Sequence, residues 1–312
     1  LLIFTFLNVN RKTLIVIVGP TAVGKTAFAI DLAAKLKTEI ISADSRQIYK
    51  ELKIGTAKPT LAELTNIRHH LINTHTLEET FNAAEFGEVA FKLCEEIFLS
   101  CNQVIVCGGS GLYLKGLLEG FDEIPGVGEA IRSAVIKEYE SHGLGWLQQQ
   151  VQQLDPTYYD QVDKQNPQRL VRALEVMRTT GKPFSHWHKK QKKQLPFVVL
   201  KVGLEKERQQ LYERIDKRMD AMIDAGLFEE AEMLYPKRNL NALQTVGYQE
   251  IFGWMDGMYD RNEAIRLLKR NSRQYAKRQL TWFKRDKEIT WFNDADSAMN
   301  YVLTKLEDKV GE

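Results

Sequence analysis

Residues 19–26 read Gly-Pro-Thr-Ala-Val-Gly-Lys-Thr, the G-x-x-x-x-G-K-[ST] spacing of a phosphate-binding loop. The chemistry of such a loop is anion capture. Gly19 and Gly24 permit a tight turn that aims successive N–H groups at phosphate oxygens, and Pro20, Thr21, Ala22 and Val23 complete the loop between them. A helix opening at Thr26 adds the positive end of its dipole. Lys25 is placed to reach the terminal phosphate, and the Thr26 hydroxyl to enter the shell of a magnesium ion. An accidental glycine-rich turn is the alternative. The flanks oppose it: Thr13 to Val18 is rich in β-formers and Thr26 to Leu36 is amphipathic, so strand, loop and helix follow in the required order. The motif leaves open which phosphate is held.

A second reactive group lies in "ISADSRQIYKELKIGTAKP", where Asp44 follows a short strand. In a parallel α/β sheet the C-terminal strand ends line the ligand crevice, which puts this carboxylate near the loop. Capping of the following turn by Asp44 is the structural alternative. Hydrolases of this loop class carry an acid at the end of a later apolar strand. Here Val104 to Cys107 runs instead into Gly108, Gly109 and Ser110, residues suited to close approach of a substrate.

The elements that must position these groups follow from periodicity. A strand-helix unit from Thr13 to Lys37 precedes a short strand at Glu39 to Ser42, a helix around Asn82 to Ser100 and a buried strand in "QVIVCGG". This alternation predicts an α/β class, a parallel sheet with helices on its faces. After Gly120 the pattern becomes helical with polar joints, and "LPFVVLKVGL" returns to strand. The expected organisation is a phosphate-loop core at 1–120 and 196–312, interrupted by a helical insertion at 121–195.

Composition narrows the setting. A chain of 312 residues with 44% apolar composition buries a large core and exceeds the size at which single cores divide. Cys94, Cys101 and Cys107 have neither zinc-ligand nor disulfide-framework spacing, which predicts a reduced, cytoplasmic protein. The apolar start, "LLIFTFLNVN", lacks a basic region and a cleavage site and reads as a short lead-in. No run reaches membrane-spanning length.

The net charge of +2 conceals an asymmetry. Arg178, Lys182, Lys189, Lys190, Lys192, Lys193 and Lys201 fall in a stretch without acids, and His186, Trp187 and His188 sit among them. Arg266, Arg270, Arg273, Lys277 and Lys284 recur at helical spacing. Either run alone reads equally well as a solvated face. Two of them in a nearly neutral chain point to a polyanion, with nucleic acid the expected partner.

From about Lys12 to Lys284 the chain resembles the tRNA dimethylallyltransferases, or tRNA isopentenyltransferases, in their compact bacterial form. The resemblance rests on "GPTAVGKT", "SADSRQIYKELKIGTAKP", "GGSGLYLKGL", "NPQRLVRALEV", "ERIDKRMDAMIDAGLFEE", "TVGYQE" and "SRQYAKRQLTWFK", in the family order. It implies that the loop holds the diphosphate of dimethylallyl diphosphate with Mg2+, and that the acceptor is N6 of the adenosine 3′ of the anticodon. By the same resemblance Asp44 is the base, and Lys25, Thr26 and Arg218 stabilise the leaving diphosphate, with Thr21 and Ser110 lining the site. Contacts to tRNA are implied for Asp44, Ser45, Arg46, Gln47, Ser110, Arg132, Gln168, Arg169, Arg172, Gly247, Tyr248, Arg273, Lys277 and Arg278. The chain departs from the family at Ser110, Ser272 and Tyr275 without losing a named chemical group. A monomer is expected. Two other classes stay open: a small-molecule kinase using ATP, and a non-catalytic RNA-binding protein with a nucleotide switch.

Overall fold

The structure, a computed structural model, describes residues 12–188 and 193–308. The apolar lead-in, and Lys189, Lys190 and Lys192 of the first basic run, lie outside the described residues. Along the chain come β1 (Thr13–Val18), α1 (Lys25–Leu36), β2 (Ile40–Ser42), α2 (Leu61–Asn66), β3 (His69–His70), α3 (Ala83–Ile97), β4 (Gln103–Cys107) and α4 (Gly111–Leu118). Four helices follow, α5 (Glu129–Leu154, kinked at Gly143), α6 (Pro156–Gln161), α7 (Pro167–Thr180) and α8 (Phe184–Trp187). The chain then forms β5 (Val198–Leu204), α9 (Arg208–Asp224), α10 (Leu227–Leu234), α11 (Tyr248–Met255), α12 (Arg261–Phe283), β6 (Thr290–Phe292) and α13 (Ala295–Asp308). These elements divide into two compact units, 1–118 with 195–312, and 119–194.

The larger unit is built on a six-stranded sheet in the order β3-β2-β4-β1-β5-β6, every described pair parallel. The run TLIVIV is buried at all six positions because β1 lies between β4 and β5, with helices on both faces. Its alternation sorts the core. Leu14, Val16 and Val18 pack with Phe86 and Ala90 of α3 and Leu114 of α4. Ile15 and Ile17 face Phe28 and Leu32 of α1, Leu211 and Ile215 of α9, and Val302 of α13. A third cluster joins α9 to α12 with the segment after β2, through Ile48, Leu52, Leu227, Tyr248 and Phe252. β1 stands where the chain reverses its order across the sheet, so the loops after β1, β2, β4 and β5 open at one edge. The edge strands β3 and β6 lack a sequence signal; they are two and three residues long, too short for a period to register.

The smaller unit is helical. Asn166 caps α7 by accepting from the Arg169 N–H at 3.3 Å, Pro167 occupies the first turn, and Gly181 closes the helix in a left-handed conformation. Its core gathers Val135, Leu147 and Val151 of α5, Tyr158 of α6, Leu170 and Leu174 of α7, and Phe184 of α8. The buried Asp155 ties this together, accepting from the Tyr158 N–H at 2.9 Å, the Ser185 N–H at 2.6 Å and the Ser185 hydroxyl at 3.0 Å.

Candidate active site

The loop between β1 and α1 takes its shape from local backbone chemistry. Gly19 has φ 146°, and a Cβ there would fall 2.4 Å from the Leu204 carbonyl oxygen of β5, so only glycine fits. Gly24 opens α1 in a left-handed conformation, and no side chain caps that helix, which leaves its first N–H groups for an anion. The Lys25 ammonium donates to the Pro20 carbonyl at 2.7 Å, folding back across the loop. Burial lowers it to about 8, opposed by Cys107 and Asp44 and reinforced by Arg218. Burial also pushes the neighbouring Cys107 thiol up to about 11, keeping it protonated.

Lys25, Thr26, Thr21, Asp44 and Arg218 are brought together around one cavity of about 480 Å³. Its cations are Lys25, Arg214, Lys217 and Arg218 against the carboxylates Asp44 and Glu63, a balance suited to an anionic ligand. A smaller cavity of about 100 Å³ shares Thr21, Asp44 and Arg218 with it, and there Ile215, Met219, Met222, Leu227 and Val246 contribute an apolar patch beside polar lining from Arg46, Thr56, Thr245, Ser272 and Tyr275. Arg218 donates to the Thr21 hydroxyl at 3.4 Å. Burial lowers the Arg218 pKa, Asp44 raises it and Arg214 lowers it further.

Asp44 combines both sequence readings. Its Oδ1 accepts from the N–H groups of Arg46 at 2.9 Å and Gln47 at 3.3 Å, a turn cap. No described residue donates a hydrogen bond to Oδ2, and the side chain lines both cavities. One oxygen therefore fixes the carboxylate while the other keeps its lone pairs. Around it, Ser45 N–H donates to the Ser110 hydroxyl at 2.9 Å, and the Gln47 amide donates to the carbonyls of Thr56 and Ala57, each at 3.2 Å. Gly108 and Gly109 meet the protein itself as well as the cavity: a Cβ on Gly108 would lie 2.1 Å from the Ala43 carbonyl, and one on Gly109 2.2 Å from Gln279 Nε2.

The structure corrects several expectations. Tyr248, expected to contact tRNA, is fully buried, and its hydroxyl donates to the buried Glu230 carboxylate at 2.6 Å; no base can stack on that ring. The basic stripe of α12 is largely neutralised by nearby acids. Arg273 contacts both oxygens of Asp216 at 2.6 and 2.7 Å, Arg266 pairs with Glu263 at 2.5 Å, and Lys284 with Glu205 at 2.8 Å. Exposed cations that remain on this helix include Lys277 and Arg278. In the first basic run Arg178 pairs with Glu138 at 2.7 Å, and Lys201 with Asp286 at 2.7 Å and Glu288 at 2.6 Å. Gly247 sits beside the smaller cavity at the start of α11 with φ 111°. Arg132, Gln168 and Arg169 are exposed on the helical unit, and Arg172 is half-buried there, 3.7 Å from Glu175.

Arg214 and Gln279 are among the cavity residues that escaped sequence reasoning. Arg214 precedes Arg218 by one helical turn and donates to the Ala22 carbonyl at 2.8 Å. Gln279 follows Ser272 and Ala276 and precedes Phe283 on the inward face of α12, and a polar residue at that position is the signal that marks it.

Comparison with known proteins now decides the family: the family model described as IPP transferase matches residues 47–286. The chain belongs to the IPP transferase family. A tRNA dimethylallyltransferase of Cytophaga hutchinsonii is 48% identical over 308 residues, covering 99% of this chain and 100% of its own. A tRNA isopentenylpyrophosphate transferase of Bacillus halodurans, solved by crystallography, has 37% identity and a TM-score of 0.70, covering 96% of this chain and 98% of its own. A eukaryotic dimethylallyltransferase captured acting on tRNA superposes with a TM-score of 0.73 at 27% identity, over 90% of this chain and 74% of its own. The IPP transferase family has a phosphate-loop NTPase-like fold, which agrees with the parallel sheet here, and membership disfavours the kinase reading. Among the described residues no helix is long and apolar enough to cross a membrane.

Proposed function

We propose that the protein transfers a dimethylallyl group from dimethylallyl diphosphate to N6 of the adenosine 3′-adjacent to the anticodon in tRNA. The observation that carries this reading is Asp44, a carboxylate with one oxygen fixed and one unengaged, on the wall shared by a cationic cavity and a smaller one that carries an apolar patch. A prenyl diphosphate has those two characters in one molecule.

In this reading the loop amides, Lys25, Arg214 and Arg218 bind the diphosphate, and the apolar patch of Ile215, Met219, Met222, Leu227 and Val246 receives the prenyl chain. Adenine N6 attacks that carbon as its bond to the diphosphate oxygen breaks. The N6 proton passes to Asp44 Oδ2, and the charge gathering on the leaving group is met by Lys25 and Arg218. Magnesium fits the residues present. Thr26 offers a hydroxyl at the cavity, and this ion commonly completes its shell with substrate phosphate oxygens and water rather than a cage of protein ligands. Bound there, it would neutralise diphosphate charge. Among the described residues no cluster of three His, Cys, Asp or Glu side chains competes as a metal site.

The half-buried Ser45 and Arg46 and the exposed Lys277 and Arg278 supply polar and cationic contacts to the anticodon loop, whose adenosine must leave its stack to react, and Arg132, Gln168, Arg169 and Arg172 of the helical unit supply further contacts to the tRNA. In this reading the protein acts as a monomer, in the cytoplasm with its RNA. The test is to incubate protein, Mg2+, dimethylallyl diphosphate and unmodified tRNA, then digest and weigh the nucleosides. Adenosine carrying one dimethylallyl group is expected. Asp44→Asn, which preserves the Oδ1 cap, should slow transfer by about 10²–10⁴-fold with tRNA affinity within a few fold. Transfer at the wild-type rate would remove Asp44 as the base, and ATP consumption without prenylation would restore the kinase.

A further inference from the structure

The phosphate loop is held by more than its own backbone. Ala22 has φ 63°, a strained conformation for a residue with a Cβ, so the loop depends on outside contacts to keep its shape. Three side chains supply them. Arg214 takes the Ala22 carbonyl at 2.8 Å, Arg218 the Thr21 hydroxyl at 3.4 Å, and Gln279 the Thr21 N–H at 2.8 Å. Arg214 and Arg218 are cations facing the cavity, and an incoming diphosphate competes for them. Gln279 is neutral and buried, so it holds the loop without adding charge to the cavity.

The Gln279 amide is used at both ends. While Oε1 accepts from Thr21, Nε2 donates to the Gly109 carbonyl at 3.1 Å. An N–H only donates and a carbonyl only accepts, so a flipped amide would oppose donor to donor and acceptor to acceptor. The backbone reserves room for this group: the missing Cβ of Gly109 would fall 2.2 Å from Nε2. One buried side chain of α12 thus joins the loop after β1 to the loop after β4, from 258 and 170 residues away.

We propose that Gln279 is a positioning residue for prenyl transfer. It takes the Thr21 N–H and locks the phosphate loop to the Gly109 segment, which keeps the Thr21 hydroxyl, Arg214 and Arg218 aimed at the donor diphosphate. The inference rests on the proposed function, in that the loop holds the donor.

The test measures transfer with dimethylallyl diphosphate varied at saturating tRNA, then with tRNA varied at saturating donor. Gln279→Met fills similar volume without either hydrogen bond. It should raise KM for the donor about tenfold, the worth of a buried hydrogen bond, and leave KM for tRNA within about twofold. Gly109→Ala displaces the amide and should reproduce this split, and the double variant should be no worse than the poorer single one, because both break the same link. Gln279→Glu places a carboxylate against the Gly109 carbonyl. Protonated, that group again both donates and accepts, so its defect should shrink as pH falls while that of Gln279→Met does not. Equal shifts in both KM values, additive loss in the double variant, or unchanged kinetics in Gln279→Met would overturn the proposal. If Gln279→Met does not fold, Gly109→Ala decides by the same split. A wild-type protein that transfers no prenyl group counts against the proposed function instead. Calorimetry with inorganic diphosphate then decides the inference: about tenfold weaker binding to the Gln279→Met or Gly109→Ala variant supports it, and unchanged binding overturns it.

Discussion

Tyr248→Phe removes one hydroxyl from the centre of a buried network, and its effect can be worked from the contacts. Glu230 accepts four hydrogen bonds: from Lys53 N–H at 3.1 Å, Ile54 N–H at 2.8 Å, Gly55 N–H at 3.0 Å and the Tyr248 hydroxyl at 2.6 Å. The carboxylate keeps three donors in the variant, so no charge is stranded. The ring still fills its place against Gly55, whose Cβ, if it had one, would sit 2.6 Å from the tyrosine Cζ. The loss is therefore one hydrogen bond to a charged acceptor. A deletion of that kind costs about 1.5–3 kcal/mol, and the three surviving donors place the value near the lower end, about 2 kcal/mol. Urea denaturation should report it as a lower midpoint with an unchanged m-value, and heating as a fall of about 4–8 °C in Tm. Affinity for tRNA should stay within about twofold, because the removed group is enclosed in protein. The opposite pattern would refute the reasoning. Stability within about 0.5 kcal/mol of the wild type, together with tRNA binding weakened manyfold, would mean that the tyrosine faces RNA.

Two further outcomes follow from charge. Lys25 is lowered to about 8 in the folded protein, so between pH 8 and its ordinary 10.5 the unfolded chain binds more protons and stability from this group rises with pH. Diphosphate binding favours the charged ammonium. At pH 8.5, calorimetry in buffers of different ionisation enthalpy should therefore show more proton uptake for the wild type than for Lys25→Arg, and equal uptake would remove the perturbed lysine. On α12, Lys277→Ala and Arg278→Ala should each weaken tRNA binding and reduce the salt slope of its affinity by about 1. Arg273→Ala, whose charge is already matched by Asp216, should leave the slope unchanged. Fluorescence anisotropy across a salt series separates the two cases.

The phosphate loop was legible because its causes are contiguous: two glycines, a lysine and a threonine set the turn and open α1 within eight residues of chain. The sheet's central strands were legible for a related reason, since burial on both faces leaves an unbroken apolar run such as TLIVIV. Asp44 was readable as a cap or as a chemical group; the fold shows the cap at Oδ1 and leaves Oδ2 at the cavity, so one reading does not exclude the other. Charge was where sequence reading fell short. Arg273 and Lys201 looked available because their acids lie 57 and 85 residues away, and only the folded chain brings Asp216 and Asp286 to them. Tyr248 failed for a similar cause, since Glu230 reaches it from another helix, within a cluster of packed residues that no local pattern records. The sequence by itself determined what its neighbours along the chain could build, namely the anion-binding turn and the strands and helix that frame it. Tertiary structure decided which polar groups face each other, because hydrogen bonds and ion pairs act over about 3 Å and ignore separation along the chain.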